Sequence, residues 1–396
     1  MSFDLFRLGR ATGAGRLLTV GLSAIGLLAA AVSSASAQDR PIRIGSFTAT
    51  SGGAAFLGDP QEKTLKLYVD KINKSGGIGG RKVELFHYDS AGDARQAVTF
   101  VRRLIEDNQV DVIMGGTTTG ETMAVIPMVQ EAGVPFISFA GGNVVVEPVR
   151  KWVFKTPGSD RMAVMRIYED MKKRGFTKVA VLSGDGGFDQ SCRAEAKSAA
   201  TKSGLTVAAD EAYAQADTDL APQFSRISAA GAQAILGCGF GVGAVVAVRN
   251  HQQLGSKLPL YFTHGVGAQQ FVDAARGAAE GVRVTVSALL VADQLAADDP
   301  QRETVMKYAK EFEAAYGARP AAFGGFAYDA LFIALDAAQR AGKLDRAAIR
   351  DEIEKTKGFV GIDGIFNMTP QDHMGLSYDI AFRLTEIRNN QWHLVK

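Results

Sequence analysis

The feature that most narrows the fold is an alternation that runs twice along the chain. Short runs rich in β-branched and aromatic residues are followed by longer runs with apolar residues at helical spacing. Residues 42–47, 82–88, 110–114 and 135–139 read as strands, and 61–73, 94–108 and 121–132 as helices. In 94–108 the apolar positions Ala97, Val98, Val101, Leu104 and Ile105 fall on one helical face. This order predicts an α/β fold, with parallel strands whose crossover helices cover both faces of the sheet. The pattern then restarts. Strands are expected at 178–182, 206–212, 234–237 and 259–263, with helices at 190–203, 221–230 and 243–254. Each copy is large enough to hold its own core.

The last third has to serve both copies. A β-rich run at 282–291 is followed by helices at 302–316 and 326–341, the latter closed by Gly342. These helices are expected to return to the first copy. A final hairpin is expected from 378–383 and 391–395, turning at Asn389-Asn390. Two α/β lobes joined by several crossovers make a hinge with a cleft. The expected division is 38–158 with 288–370 for lobe 1, and 159–287 with 371–396 for lobe 2.

The first 37 residues stand apart. Arg7, Arg10 and Arg16 precede an uncharged apolar run at 17–32, and Ala35-Ser36-Ala37 offers small residues for cleavage after Ala37. Sixteen residues fall short of the ~20 that span a bilayer, so an exported, cleaved signal peptide is expected rather than an anchor. Of 44 basic and 42 acidic residues, 41 of each remain in the mature 359. That balance gives no reason to expect nucleic acid or an anionic membrane as partner. Cys192 and Cys238 are the only cysteines. Export permits a disulfide between them, and two separate buried thiols are the alternative.

The sequence shows no H-E-x-x-H, G-x-S-x-G or P-loop motif. His87, His251, His264, His373 and His393 are not at metal-ligand spacing. No catalytic residue, metal or cofactor is therefore expected. Gly76-Gly77-Ile78-Gly79-Gly80 sits between a helix and a strand, the wrong order for a phosphate loop, and reads as a turn. The strand exits carry more chemistry. Gly115 to Gly120 encloses Thr117, Thr118 and Thr119 at a helix start, where unpaired amides and hydroxyls suit a carboxylate; one threonine is also expected as the N-cap. Ser138 to Asn143, with Phe139, Ala140, Gly141 and Gly142, exposes main chain at the next exit. In the second copy, Phe188 and Phe240 lie among glycines, with a place in the core as the alternative, and His264 follows the last strand.

At these residues the sequence resembles the periplasmic binding proteins of ABC transporters, in the branched-chain (leucine/isoleucine/valine) amino acid family. The resemblance is carried by Ile42-Arg43-Ile44-Gly45, Gly76 to Val83, Tyr88-Asp89, Ala132 to Ser138 and Ala327-Tyr328-Asp329-Ala330. It implies a type I periplasmic binding protein fold: two Rossmann-like lobes with three crossovers, closing on a small molecule. It also implies an ABC permease as partner; a monomer is expected. By resemblance, Thr119 holds the ligand carboxylate, Ala140 supplies a main-chain group, Phe188 replaces a family tyrosine, Phe240 matches another aromatic, and Leu57 with Phe56 borders the side-chain pocket. The sequence departs from the family at two positions. Gly142 stands where a Ser or Thr is usual, and His264 where amino-acid binders carry an acid for the ligand ammonium. A buried ammonium without a carboxylate is costly, and Phe56, Phe139, Phe188, Phe240 and either Phe323 or Phe326 offer ring surface, so an aromatic carboxylic acid is expected: a benzoate, a cinnamate-type acid or an aryl 2-oxo acid. Asp185 is the acid that would substitute for the missing one. The alternatives are a hydrophobic amino acid or amide receptor, and a ligand-sensing domain.

Overall fold

The computed structural model describes residues 40–395; the expected signal peptide lies outside them. Among the described residues no helix is long and apolar enough to cross a membrane. The first half contributes β1 (Ile42–Thr48), α1 (Ala55–Lys74), β2 (Val83–Asp89), α2 (Ala94–Glu106), β3 (Val112–Gly115), α3 (Thr119–Ala132), β4 (Phe136–Ser138) and β5 (Val153–Lys155). The second contributes α4 (Asp160–Lys173), β6 (Lys178–Ser183), α5 (Gly187–Lys202), β7 (Thr206–Ala212), α6 (Ala221–Ala229), β8 (Ala234–Cys238), α7 (Gly241–Gln253), β9 (Leu260–Phe262), α8 (Gln269–Ala275) and β10 (Arg283–Val286). Then come α9 (Arg302–Tyr316), α10 (Ala322–Ala341), α11 (Arg346–Ile353), β11 (Lys357–Val360), β12 (Ile365–Asn367), α12 (Tyr378–Ala381), β13 (Arg383–Arg388) and β14 (Gln391–Leu394).

The strands form two main sheets, ordered β2-β1-β3-β4-β5 and β14-β13-β10-β9-β8-β6-β7. The first is wholly parallel. Its strands are apolar on both faces, as a doubly covered sheet requires: Ile44, Ile113, Phe136 and Val153 are fully buried. In the second sheet β13 runs antiparallel to β10 and β14 to β13. Helix α10 returns to the first sheet, packing along α1 and touching β3. The chain thus passes between the sheets three times: after β5, after β10 and after β12. This is the type I periplasmic binding protein fold.

The register aligns the strand ends. Phe47 pairs with Gly115, Gly115 with Ser138, and Ser138 with Lys155, a row across the carboxyl edge of the first sheet. Ligands of open parallel sheets bind outside that edge.

Two late expectations need correction. The run 282–291 is not one strand. Strand β10 ends at Val286, because β9 pairs with only two of its residues and β13 with four; the chain continues as 3₁₀ turns over Ala288–Gln294, which bury Leu289 and Val291 instead of laddering them. Residues 378–381 form a helical turn, so the hairpin strand begins at Arg383. Its turn is where expected: Asn389 and Asn390 both take positive φ, 51° and 59°. The Gly76 to Gly80 segment is indeed a turn, with all four glycines at positive φ. Cys192 in α5 and Cys238 at the end of β8 form a disulfide, Cα atoms 5.6 Å apart.

Candidate functional site

The exits of β3 and β4 build one wall of a slot. Gly115 (φ 139°) and Gly116 (φ 67°) turn the chain from β3 into α3. Thr118 is the N-cap of α3 and closes a capping box. Its amide and hydroxyl donate to Glu121 Oε2 at 2.9 and 2.8 Å, and Glu121 N–H donates back to its hydroxyl at 3.2 Å. Ser90 also bonds this carboxylate. Burial pushes the Glu121 carboxyl above its usual range, against the pull of these donors. The helix start is therefore partly answered by the chain's own acid. The amides of Thr119 and Gly120 occupy the first two helical positions, which have no intrahelical partner.

The three threonines divide the work. Thr117 accepts from Ala49 N–H at 2.9 Å and donates to Gln61 Oε1 at 2.7 Å, tying the loop to α1. Thr118 caps. Thr119, 2% exposed, accepts from Gly142 N–H at 3.3 Å, which leaves its proton for another acceptor. That contact also accounts for Gly142. A Cβ there would stand 2.8 Å from Thr119 Cγ2 and 2.9 Å from its Oγ1, so Thr119 fills the space a serine would need.

The second sheet supplies the facing wall. Phe188 is in the first turn of α5, Phe240 is the N-cap of α7, and His264 opens a 3₁₀ turn after β9. Phe188 and Phe240 lie 6.2 Å apart between centroids, and Phe188 meets His264 edge-on at 5.3 Å. Leu57, Gln61, Thr117, Thr118, Thr119, Phe139, Gly141, Phe323 and Phe326 line the near side of the same cavity; Phe188, Phe240, His264 and Gly265 line the far side. Phe56 backs the rings, 6.4 Å from Phe240 and 5.8 Å from Phe323. About 30 Å³ is left free between these groups, so a ring-sized molecule enters only when the walls part or the rings turn. Ala140 does not line this cavity; it is fully buried, its amide bonded to Ser138 Oγ at 3.0 Å.

The walls touch at Gly141 and at Gly187. A Cβ on Gly141 would overlap His264 Nε2 and lie 2.9 Å from Phe188 Cε2, while one on Gly187 would lie 3.1 Å from Gly120 N. The N-termini of α3 and α5 thus face each other across the slot.

His264 is 6% exposed, and neither ring nitrogen has a hydrogen-bond partner. Burial, followed by the charge of Lys155, lowers its pKa to about 3, so the ring is neutral at physiological pH. A neutral imidazole carries one N–H donor and one acceptor, both here without a protein partner. Among the described residues no carboxylate lines the cavity. Asp185 is exposed, and its Oδ1 accepts from Gln215 N–H at 3.3 Å. Of the acids one layer back, two are committed to capping. One is Glu121. The other is Asp189, which accepts from Gly186 N–H at 3.1 Å and from Gln215 Nε2 at 2.8 Å, and which burial raises to about 6.

Several residues of the site were not foreseen from sequence. Gln61 lies one helical turn beyond Leu57, a spacing that could have drawn it in. Lys155 and Asp160 lie under the Gly141–Gly142 main chain, and nothing local in the sequence marks either as buried. Lys155, fully buried, donates from Nζ to the carbonyls of Gly141 at 2.8 Å and Gly142 at 3.3 Å. Burial pulls its pKa down to about 7, against the field of Asp160. Burial likewise raises Asp160 to about 6.

The chain is similar to known proteins in both sequence and fold. The model of a family described as periplasmic binding protein matches residues 41–390. A Leu/Ile/Val-binding protein homolog 3 of Brucella melitensis is 31% identical over 52% of this chain and 56% of its own length. A leucine-, isoleucine-, valine-, threonine- and alanine-binding protein of Pseudomonas aeruginosa is 26% identical over 60% of this chain and 64% of its own. The chain spans less than two thirds of either curated relative. The crystal structure of an extracellular ligand-binding receptor from Rhodopseudomonas palustris superposes with a TM-score of 0.83 at 30% identity, covering 90% of this chain and 99% of that one.

Proposed function

From the premise that this chain belongs to the periplasmic binding protein family, we propose that it is the exported solute receptor of an ABC importer and binds an aromatic carboxylic acid between its lobes. The acid is a benzoate, a cinnamate-type acid or an aryl 2-oxo acid. It binds without chemical change, and the closed form is what the membrane permease meets. Closure follows from the ligand's greater affinity for the closed state.

One observation carries the choice of ligand. The slot is walled by Phe139, Phe188, Phe240, Phe323 and Phe326, with a neutral, unpartnered His264 and no lining carboxylate. Rings stacked edge to face favour a flat aromatic guest. The Thr119 hydroxyl and the first amides of α3 suit its carboxylate, and His264 suits a 2-oxo or phenol group. The threonines and Gly141, with Leu57 and Phe56 beside them, make up the rest of the site. A second reading, a branched-chain or other hydrophobic amino acid as ligand, is favoured by what the Brucella and Pseudomonas relatives are named for.

Thermal unfolding against a panel separates the two. Benzoate, cinnamate or phenylpyruvate at a hundredfold excess over Kd stabilises by about 2.7 kcal/mol, a rise of about 4 °C in Tm. Leucine, isoleucine and valine should do nothing. Stabilisation by leucine with no response to the aryl acids overturns the aromatic reading. His264→Glu should reverse the ranking toward ligands with an ammonium.

A further inference from the structure

The main chain under the slot is already engaged from below. Gly141 lines the cavity. Its carbonyl accepts from Lys155 Nζ at 2.8 Å and from Asp160 N–H at 3.1 Å, and the Gly142 carbonyl accepts from the same ammonium at 3.3 Å. A carbonyl oxygen has two lone pairs, so both acceptor positions of Gly141 are spent. Carbonyl oxygens are what a ligand ammonium would seek at this wall.

The ammonium's hydrogen bonds go to these carbonyls, and Asp160 acts on it through its field. One oxygen of the Asp160 carboxylate, Oδ1, accepts from the amides of Asn143 at 2.9 Å and Arg161 at 2.8 Å. Beyond it, Glu195 is paired with Arg161 at 2.8 Å. On the slot side the facing ring is the uncharged His264. The result is a fully buried amine, its hydrogen bonds given to main-chain carbonyls, directly behind the wall that a ligand head group meets.

We propose that Lys155 is a specificity-determining residue, selecting carboxylates that lack an α-ammonium by occupying the Gly141 and Gly142 carbonyls, so that the wall has no acceptor left for an ammonium. The proposal rests on the reading above that a carboxylate enters this slot. It differs from a merely structural role. A lysine that only pinned the 141–143 loop would affect all ligands alike, whereas this one acts on the difference between ligands with and without an ammonium.

The test uses two matched pairs, 3-phenylpropanoate with L-phenylalanine and 4-methylpentanoate with L-leucine. Calorimetric affinities are measured for the wild-type protein, Lys155→Met and Lys155→Met/Asp160→Asn; the double variant avoids leaving a buried acid without its cation. In the wild type, the ammonium-free member of the pair that binds is expected to be tighter by about 30-fold or more. In the folded variants that ratio should shrink by about tenfold or more. An unchanged ratio in a folded variant overturns the proposal. So does a wild-type protein that binds the amino acid as tightly as its deamino partner, whatever the variants do. Preference between the aryl and the branched pair reports separately on the aromatic reading. Failure of all four to bind at millimolar concentration overturns both.

Discussion

Gly141→Ala tests whether the two walls close on the ligand as rigid surfaces. Gly141 is not among the glycines at positive φ, so alanine fits its backbone. The added methyl meets nothing of its own lobe among its nearest neighbours. It would overlap His264 Nε2 and sit 2.9 Å from Phe188 Cε2, both carried by the facing lobe. His264 is held between Phe188 and Phe382, 5.3 and 4.9 Å away, and cannot swing aside without displacing a ring. Overpacking of this kind costs about 1–3 kcal/mol. Because the cost falls on the closed state alone, it appears in affinity, as a loss of about 5- to 150-fold. The melting temperature of the ligand-free protein should hold within about 1 °C. Gly142→Ala is the control. Its methyl would crowd Thr119 of the same lobe, at 2.8 Å, so it should lower stability with or without ligand. Calorimetry with the tightest ligand of the panel, beside thermal unfolding of both variants, decides the matter. Undiminished affinity in Gly141→Ala refutes closure at this contact. A drop in ligand-free stability equal to that of Gly142→Ala shows that the walls already touch without ligand.

Two further outcomes concern stability. Asp329 and Asp363 are a fully buried carboxyl pair, with Asp329 accepting from the amides of Ile362 at 2.7 Å and Asp363 at 2.9 Å. Burial raises Asp329 to about 7 and holds Asp363 well above its usual range as well. The folded state thus keeps a proton that the unfolded chain releases near pH 4. The stability this confers is complete below that pH and is lost as pH rises through about 7, by about 2–3 kcal/mol between pH 5 and pH 8. Urea midpoints should fall over that range, and Asp363→Asn should flatten the slope; a wild-type protein equally stable at both pH values refutes it. Replacing Cys192 and Cys238 with alanine opens a loop of 46 residues, which should cost about 4 kcal/mol by loop-closure entropy. Reductant should lower the unfolding midpoint of the wild type but not of the variant, and an equal response from both would refute the contribution.

Much of this was legible in the sequence because it is local. The helical spacing of Ala97, Val101 and Leu104, the glycines of the 76–80 turn and Asn389-Asn390 act through their own neighbours. Thr117 to Thr119, Phe188, Phe240 and His264 were legible for a related reason: each follows a strand directly, and parallel strands put their ends on one edge. Lys155 was hidden because β5 is three residues long and lies in a stretch that reads as a plain connection. Its burial depends on pairing with β4, a non-local event. Phe323 and Phe326 were among the ring candidates, but no spacing rule fixes where their helix lands, because it returns to the slot across a long stretch of chain. The Cys192–Cys238 pairing was undecided for the same reason. The strand at 282–291 was overextended because β-branched content signals burial as readily as it signals a ladder.

That crosslink has a consequence for how the pocket adapts. Cys192 stands four residues after Phe188, and Cys238 two before Phe240. The bond therefore rivets the two rings of the far wall to one another through α5 and β8, and they travel as a single jaw. Any allowance for guests of different bulk falls to the opposite side, where Phe56, Phe323 and Phe326 sit on α1 and α10 with no covalent tie. Changes in ligand among close relatives of this chain should be sought there first.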